Sequence, residues 1–228
     1  MISIYLESKD ERMMMKEQYL DEVFTTRRND NGLFITIAGF DGSGKTTQIK
    51  ALEKYFKERE CDVLITAEPT QWYREQIEVR NFLEKGGDYF DAKRLALLIA
   101  ADRFKHLQET IIPALEEGKV IICDRYVQVT FALMLARGVE PKLIIETNKG
   151  IIRPNISFYL NVDAKTLIER LHFRDGENLK YEERKIERIE NIIQHYKKMG
   201  KYLINIDGKQ AVNDVTKDII NILEKNVR

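Results

Sequence analysis

The sequence predicts an α/β protein: one parallel sheet with helices packed on both faces. From residue 33 onward, short β-branched runs alternate with stretches of helical periodicity. Such alternation closes into a parallel sheet covered on both sides. In addition, a glycine-rich segment, residues 38–47, sits between the first apolar run and the first helical pattern. Ligand-type residues also fall at strand ends, where such sheets take their ligands.

The elements follow in order. "LFITIAG" is a short β-branched strand, and "KTTQIKALEKYFKERE" places Ile49, Leu52 and Phe56 at helical spacing. "CDVLITAEP" is a second strand, stopped at Pro69. Residues 91–117 read as one long helical stretch, interrupted near Pro113 and ended by Gly118. "KVIICDRY" is a third strand and "NISFYLNVD" a fourth. "AKTLIERLHFR" is a helix and "YEERKIERIENIIQHYKKM" a charged helix. "KYLINIDG" is a fifth strand and "VNDVTKDIINILEK" a last helix. Residues 1–30 stand apart as a charged, Met-rich N-terminal extension of unknown role, open to a short strand or helix; residues 31–228 form one domain.

Composition narrows the function classes. With 228 residues, 43% of them hydrophobic, the chain can bury a proper core. Its 37 basic and 37 acidic residues cancel. No overall field draws it to nucleic acid or a membrane, so any anion site is local. Cys61 and Cys123 lie far apart in apolar runs without metal-ligand spacing. They read as reduced and buried, which fits a cytoplasmic protein. No apolar run is long enough to span a bilayer, and the N-terminus has no signal-peptide layout.

Gly39, Gly44, Lys45 and Thr46 satisfy G-x-x-x-x-G-K-[ST] between a strand and a helix. Glycines let backbone N–H groups approach phosphate oxygens, and the helix N-terminus adds partial positive charge. The lysine bridges the β- and γ-phosphates and the hydroxyl ligates Mg²⁺. Asp41 lies inside this loop, where an inward carboxylate would repel phosphate; it is expected to face outward, toward a second substrate. Asp124 ends the third strand, a place for an acid that holds the metal or its water shell. Arg125 follows it, and Arg103 lies in the long helix; arginine suits bidentate phosphate recognition. A lone helical arginine is more often a solvated surface residue, which leaves Arg103 open.

The segments "GFDGSGKTTQ", "EPT", "LLIAADRFKH", "GKVIICDRY" and "FYLNVDAKTLIERL" fall in the order and spacing of thymidylate kinases. The resemblance covers roughly residues 33–225. It implies a three-layer P-loop fold with a five-stranded parallel sheet, a short helical lid at about 170–184, and a homodimer. It implies ATP and Mg²⁺ as cofactor and metal, and dTMP as acceptor. ATP would be held by Gly39, Phe40, Asp41, Gly42, Ser43, Gly44, Lys45, Thr46 and Thr47. Asp41, Glu68, Ile99, Arg103, Arg125 and Tyr126 would line the acceptor site, with Arg103 and Arg125 on its phosphate. Thr46 and Asp124 would serve the metal. Lys45, Asp41, Arg125 and a lid arginine, Arg174, would carry catalysis.

Within this family the catalytic arginine comes either from the P-loop, after the acid, or from the lid. Here the P-loop position is Gly42, and the lid holds Arg170, Arg174 and Arg184. Arg170 and Arg174, four apart, share a helix face; a charged, solvated helix end is the other reading. Four positions near the base depart from the family: Ala67 for an arginine, Ile99 for a stacking phenylalanine, Val129 for a hydroxyl and Leu133 for an aromatic. Phe104 and Phe131 are nearby aromatics that would serve instead. Two further readings stand beside the dTMP kinase: these departures motivate a kinase for another nucleoside monophosphate, and the N-terminal extension a nucleotide-binding regulatory protein without turnover.

Overall fold

The computed structural model describes residues 19–25 and 31–226. The Met-rich start of the extension and most of its polar turn lie outside the described residues. Five parallel strands form the central sheet in the order β3-β4-β2-β6-β7: β2 Leu33–Ala38, β3 Val63–Ala67, β4 Val120–Asp124, β6 Ile156–Asn161 and β7 Ile204–Asp207. β2 is central, with Ile37 opposite both Asp124 and Phe158. The strand-end residues of β4 and the loop after β2 therefore emerge side by side, at the carboxyl edge of the sheet.

Side chains alternate across a strand, and that alternation divides the core. Ile35, Ile37, Ile122, Phe158 and Leu160 face one side, against α2 (Lys45–Lys57) and the C-terminal helix α11 (Val212–Asn226). Phe34, Ala38, Ile121, Cys123 and Tyr159 face the other. That face is covered by α5 (Tyr89–His106), α7 (Val127–Ala136) and α10 (Ile186–Lys197).

Several elements differ from the sequence expectation. The long helix begins at Tyr89, where Asp88 and Asp91 form a reciprocal capping box. Its α-helical course is interrupted just before Pro113, as expected. A wide π-helical turn, Leu107–Ile111, precedes α6 (Ile112–Glu116), in whose first turn the missing N–H of Pro113 costs nothing. The charged stretch after residue 181 is a 3₁₀ turn, Tyr181–Arg184, broken from α10 by extended Lys185. Helices α3 (Gln71–Glu75), α4 (Ile77–Lys85), α7 and α8 (Pro141–Asn148) occupy segments to which the pattern assigned nothing. Cys61 is only half-buried at the edge of the sheet, in contrast to buried Cys123.

The extension does not stand wholly apart either. α1 (Tyr19–Val23) buries Leu20 and Val23 completely, and β1 (Phe24–Thr25) pairs in parallel with β5 (Ile151–Ile152). Its two apolar side chains find aliphatic partners on the body, which a reading of charge along the segment hides.

His195 on α10 is buried, and burial with Lys198 nearby pushes its pKa down from 6.5 to about 4. The unfolded chain takes up this proton near its ordinary value, so stability falls as pH drops from 6.5 towards 4. The loss is about 3 kcal/mol at 1.36 kcal/mol per unit. Urea midpoints at pH 7 and pH 4.5 should show a smaller acid loss for His195→Gln than for the parent chain.

Candidate active site

A cleft of about 610 Å³ opens at the carboxyl edge of the sheet. The loop after β2 forms one end. Gly39 has φ 150°, and a Cβ there would lie 2.5 Å from Ser43 Oγ and 3.2 Å from the Leu160 carbonyl. Gly44, with φ 97°, turns the chain into α2 without a side-chain cap. The first N–H groups of α2 thus face the cleft beside exposed Thr46 and Thr47. Lys45 is buried and folds back over the loop, its Nζ donating to the Phe40 carbonyl at 2.9 Å. Burial pushes its ammonium down to about 8; Arg125 adds to this, while Asp41 and Asp124 oppose it.

Asp41 lines the cleft. It accepts from Arg125 Nη2, accepts from Lys180 Nζ at 2.6 Å, and lies 3.8 Å from Lys45 Nζ. Burial alone would raise its carboxyl. The three cations outweigh burial and hold it well below the usual carboxylate range. Arg125 sits at φ 74°, a left-handed backbone that a non-glycine residue adopts only when its surroundings fix it. Its N–H donates to the Ile37 carbonyl at 2.9 Å, and its side chain turns over the loop towards Asp41.

The far end of the cleft is built by two motifs that interlock. Asp102 accepts from the Thr70 N–H at 2.8 Å and from the Thr70 hydroxyl. Arg103 donates to Glu68 Oε2 at 2.7 Å, to Thr130 Oγ1 at 2.7 Å and to Asn148 Oδ1. Arg103 and Glu68 are almost fully buried. Glu68 is braced in turn by His106 Nδ1 at 3.4 Å, and His106 Nε2 meets Thr66 Oγ1 at 2.7 Å. The Tyr126 ring lies 5.4 Å from the Arg103 guanidinium, and its hydroxyl donates to the Ile152 carbonyl at 3.0 Å. Arg103 is thus no solvated surface residue but the buried hub of the floor.

Ile99, Val129 and Leu133 line the wall above this floor, together with Tyr73, Val79 and Leu83 from α3 and α4. Phe131 is wholly buried in the core and Phe104 points outward at 40% exposure; neither lines the cleft. The aromatic of the wall is Tyr73, in a segment where the sequence pattern assigned no element.

The third side is the end of α9 (Ala164–Asp175) and the turn after it. Arg170 Nη1 donates to the Gly42 carbonyl at 3.3 Å and to the Gly208 carbonyl at 3.2 Å. Arg174, one turn on, pairs with its neighbour Asp175 and reaches the cleft. Arg184 is not part of the cleft wall; it donates to the Leu179 carbonyl at 2.9 Å. Arg74, Arg137 and Lys180 also line the cleft, unassigned from sequence. Arg74 lies in the helix missed after "EPT"; Lys180 gives no signal in one sequence, since surface lysines are common.

The residues fit a magnesium nucleotide. Asp124 Oδ1 is buried in the wall of the cleft that Thr46 and Lys45 also line, without a hydrogen-bond partner among the described residues. Among those residues no cluster of three or more His, Cys, Asp or Glu would hold a metal alone. That suits an ion taking most of its ligands from phosphates and water. No helix among the described residues is long and apolar enough to cross a membrane.

A model of the thymidylate kinase family matches residues 37–219. The "Probable thymidylate kinase" of Thermococcus gammatolerans is 32% identical over 207 residues, covering 86% of this chain and 98% of the relative. That of Pyrococcus horikoshii is 34% identical over 200 residues, covering 85% and 96%. The "Thymidylate kinase" of Caldicellulosiruptor saccharolyticus is 33% identical over 200 residues, with the same coverage. This cleft thus sits in a chain that belongs to the thymidylate kinase family of nucleoside monophosphate kinases.

Proposed function

We propose that the protein transfers the γ-phosphoryl group of ATP to dTMP, giving ADP and dTDP. The observation that carries this is one cleft with a phosphate loop at one end and, at the other, an apolar wall over a buried arginine. Lys45 leaves the Phe40 carbonyl to bridge the β- and γ-phosphates. Thr46 and Asp124 would hold Mg²⁺, whose charge offsets that of the phosphates when bound. Arg125, beside the loop, holds the acceptor phosphate in line, and Asp41 accepts from the sugar hydroxyl once Lys180 withdraws. The bond between the γ-phosphorus and the β,γ-bridging oxygen breaks as an acceptor phosphate oxygen bonds to that phosphorus. No general base is needed, because that oxygen is already ionised.

For Arg103 we propose a changed role. Glu68 lies 2.7 Å from it and would repel a phosphate. Three of the five guanidinium N–H groups are engaged, leaving two for a neutral carbonyl. Arg103 therefore reads the edge of the base, while Ile99, Val129, Leu133 and Tyr73 pack its face and methyl group. Arg74 supplies a cation near the position where Ala67 replaces one. ADP release with ATP and Mg²⁺ should be fastest with dTMP among dTMP, dUMP, UMP, CMP, dCMP, GMP and AMP. A faster rate with another monophosphate would reassign the acceptor, and ATP binding without turnover on any of them would leave a non-enzymatic role.

Proton linkage gives a second test. Phosphate favours charged Lys45, whose pKa in the free protein is about 8. Calorimetry of ATP binding in buffers of different ionisation enthalpy should show proton uptake at pH 9 and markedly less at pH 7, with affinity weakening above pH 8.

We also propose that the protein is a cytoplasmic homodimer. Phe90, Leu97 and Phe104 stand exposed on α5 at seven-residue spacing, one face of the helix. An apolar stripe of this kind can pack on its own copy about a two-fold axis. Leu97→Glu should convert a dimer to a monomer in sedimentation velocity; an unchanged sedimentation coefficient would contradict it.

A further inference from the structure

The described part of the N-terminal extension, residues 19–25, lies outside the stretch that matches the family model, 37–219. It is nonetheless joined to the body by several kinds of contact. Leu20 and Val23 are fully buried, in the same core as Ile144 and Ile145 of α8. The Gly150 N–H donates to the Val23 carbonyl at 2.8 Å, and Phe24 and Thr25 pair with Ile151 and Ile152. Asp21 accepts from Arg153 at 2.7 Å and from Lys201 at 3.0 Å, and the Arg153 guanidinium lies 5.1 Å from the Phe24 ring.

The stretch so held, residues 148–153, supports the floor of the cleft from two directions. At one end Asn148, wholly buried, accepts from Arg103 Nη1 while its own amide donates to the Ile144 carbonyl at 2.7 Å. At the other end the Ile152 carbonyl accepts from Tyr126, whose ring stands beside Arg103. Two of the groups that fix Arg103 thus hang from the segment that the extension clips.

We infer that residues 19–25 are a positioning device for acceptor binding: by holding residues 148–153 they set Asn148 and Tyr126, and through them the Arg103 guanidinium. The inference rests on the acceptor reading above. A small displacement of a binding group costs affinity for the ligand it orients. No residue of the clip lines the cleft, and its contacts lead to the Arg103 end, so the donor side should not respond.

The test uses the full chain with Leu20→Ala/Val23→Ala, and separately Asp21→Ala, a surface change that leaves the buried anchors in place. KM for dTMP and for ATP are measured, with calorimetric binding of dTMP in the absence of ATP. The double variant should weaken dTMP about tenfold in both KM and Kd, the equivalent of about 1.4 kcal/mol. Asp21→Ala should shift dTMP in the same direction by less, and KM for ATP should stay within about twofold in both. Equal shifts in both KM values would show a merely structural segment, and unchanged dTMP binding would show an idle one; either overturns the inference. The unsubstituted chain separates the two claims. If it fails to turn over dTMP, the acceptor reading falls and the clip's role falls with it; if it is active and the variants bind dTMP normally, only the clip is wrong.

Discussion

Replacing Arg174 by alanine should lower kcat by roughly 10³ to 10⁵, the value of an arginine supplied to a transferring phosphoryl group. The geometry separates it from its two neighbours. Arg170 is committed to the carbonyls of Gly42 and Gly208, and Arg184 to that of Leu179. Among the described residues the side-chain hydrogen bonds of Arg174 go to adjacent Asp175, and it stands exposed at the cleft one helical turn beyond Arg170. Gly42 leaves the loop without a charged side chain at that position. Its φ is 83°, and a Cβ there would meet the Leu171 side chain at 3.4 Å, with the Arg170 Cβ at 3.6 Å. A side chain at that loop position would be strained by its positive φ, though α9 offers it only ordinary van der Waals contact. Steady-state kinetics should show kcat falling with Arg174→Ala while both KM values change little. Arg184→Ala should leave kcat near the parent value; the reverse ranking would place the finger elsewhere.

Arg103→Met should destabilise the fold by about 3–5 kcal/mol and abolish measurable dTMP binding. It removes the cation from a buried pair and strands Glu68, which is 2% exposed. The cost comes mainly from the uncompensated carboxylate, since a buried pair pays for its desolvation only through its partner. Arg103→Met/Glu68→Met should therefore recover most of the stability in denaturant unfolding without recovering dTMP affinity. Recovery of both would mean that the pair is structural and that the apolar wall alone selects the acceptor.

Much of this site is legible in the residues because its chemistry is local. A phosphate loop needs glycine, lysine and threonine at fixed spacing, and Asp124 ends a strand that Arg125 follows directly. The five strands are equally visible, since each is a β-branched run between breakers. What escapes is of another kind. α7, "VQVTFALMLA", is β-branched and buried nearly all round, so it shows neither a polar face nor a helical stripe. The wall residues Tyr73, Val79 and Leu83 lie on short helices whose apolar residues meet the cleft only through tertiary packing. The role of Arg103 turns on Glu68, 35 residues away, and no spacing rule pairs them. Leu20 and Val23, two aliphatic residues in a charged segment, give too little periodicity to predict docking.

The central claim is that one cleft seats donor and acceptor end to end. Thymidine and adenosine joined 5′ to 5′ through five phosphates span both ends at once, and calorimetry with competition reads the result directly. The account predicts one such molecule per chain, bound more tightly than ATP or dTMP alone and displaced by either. Binding that ATP displaces and dTMP does not would contradict it.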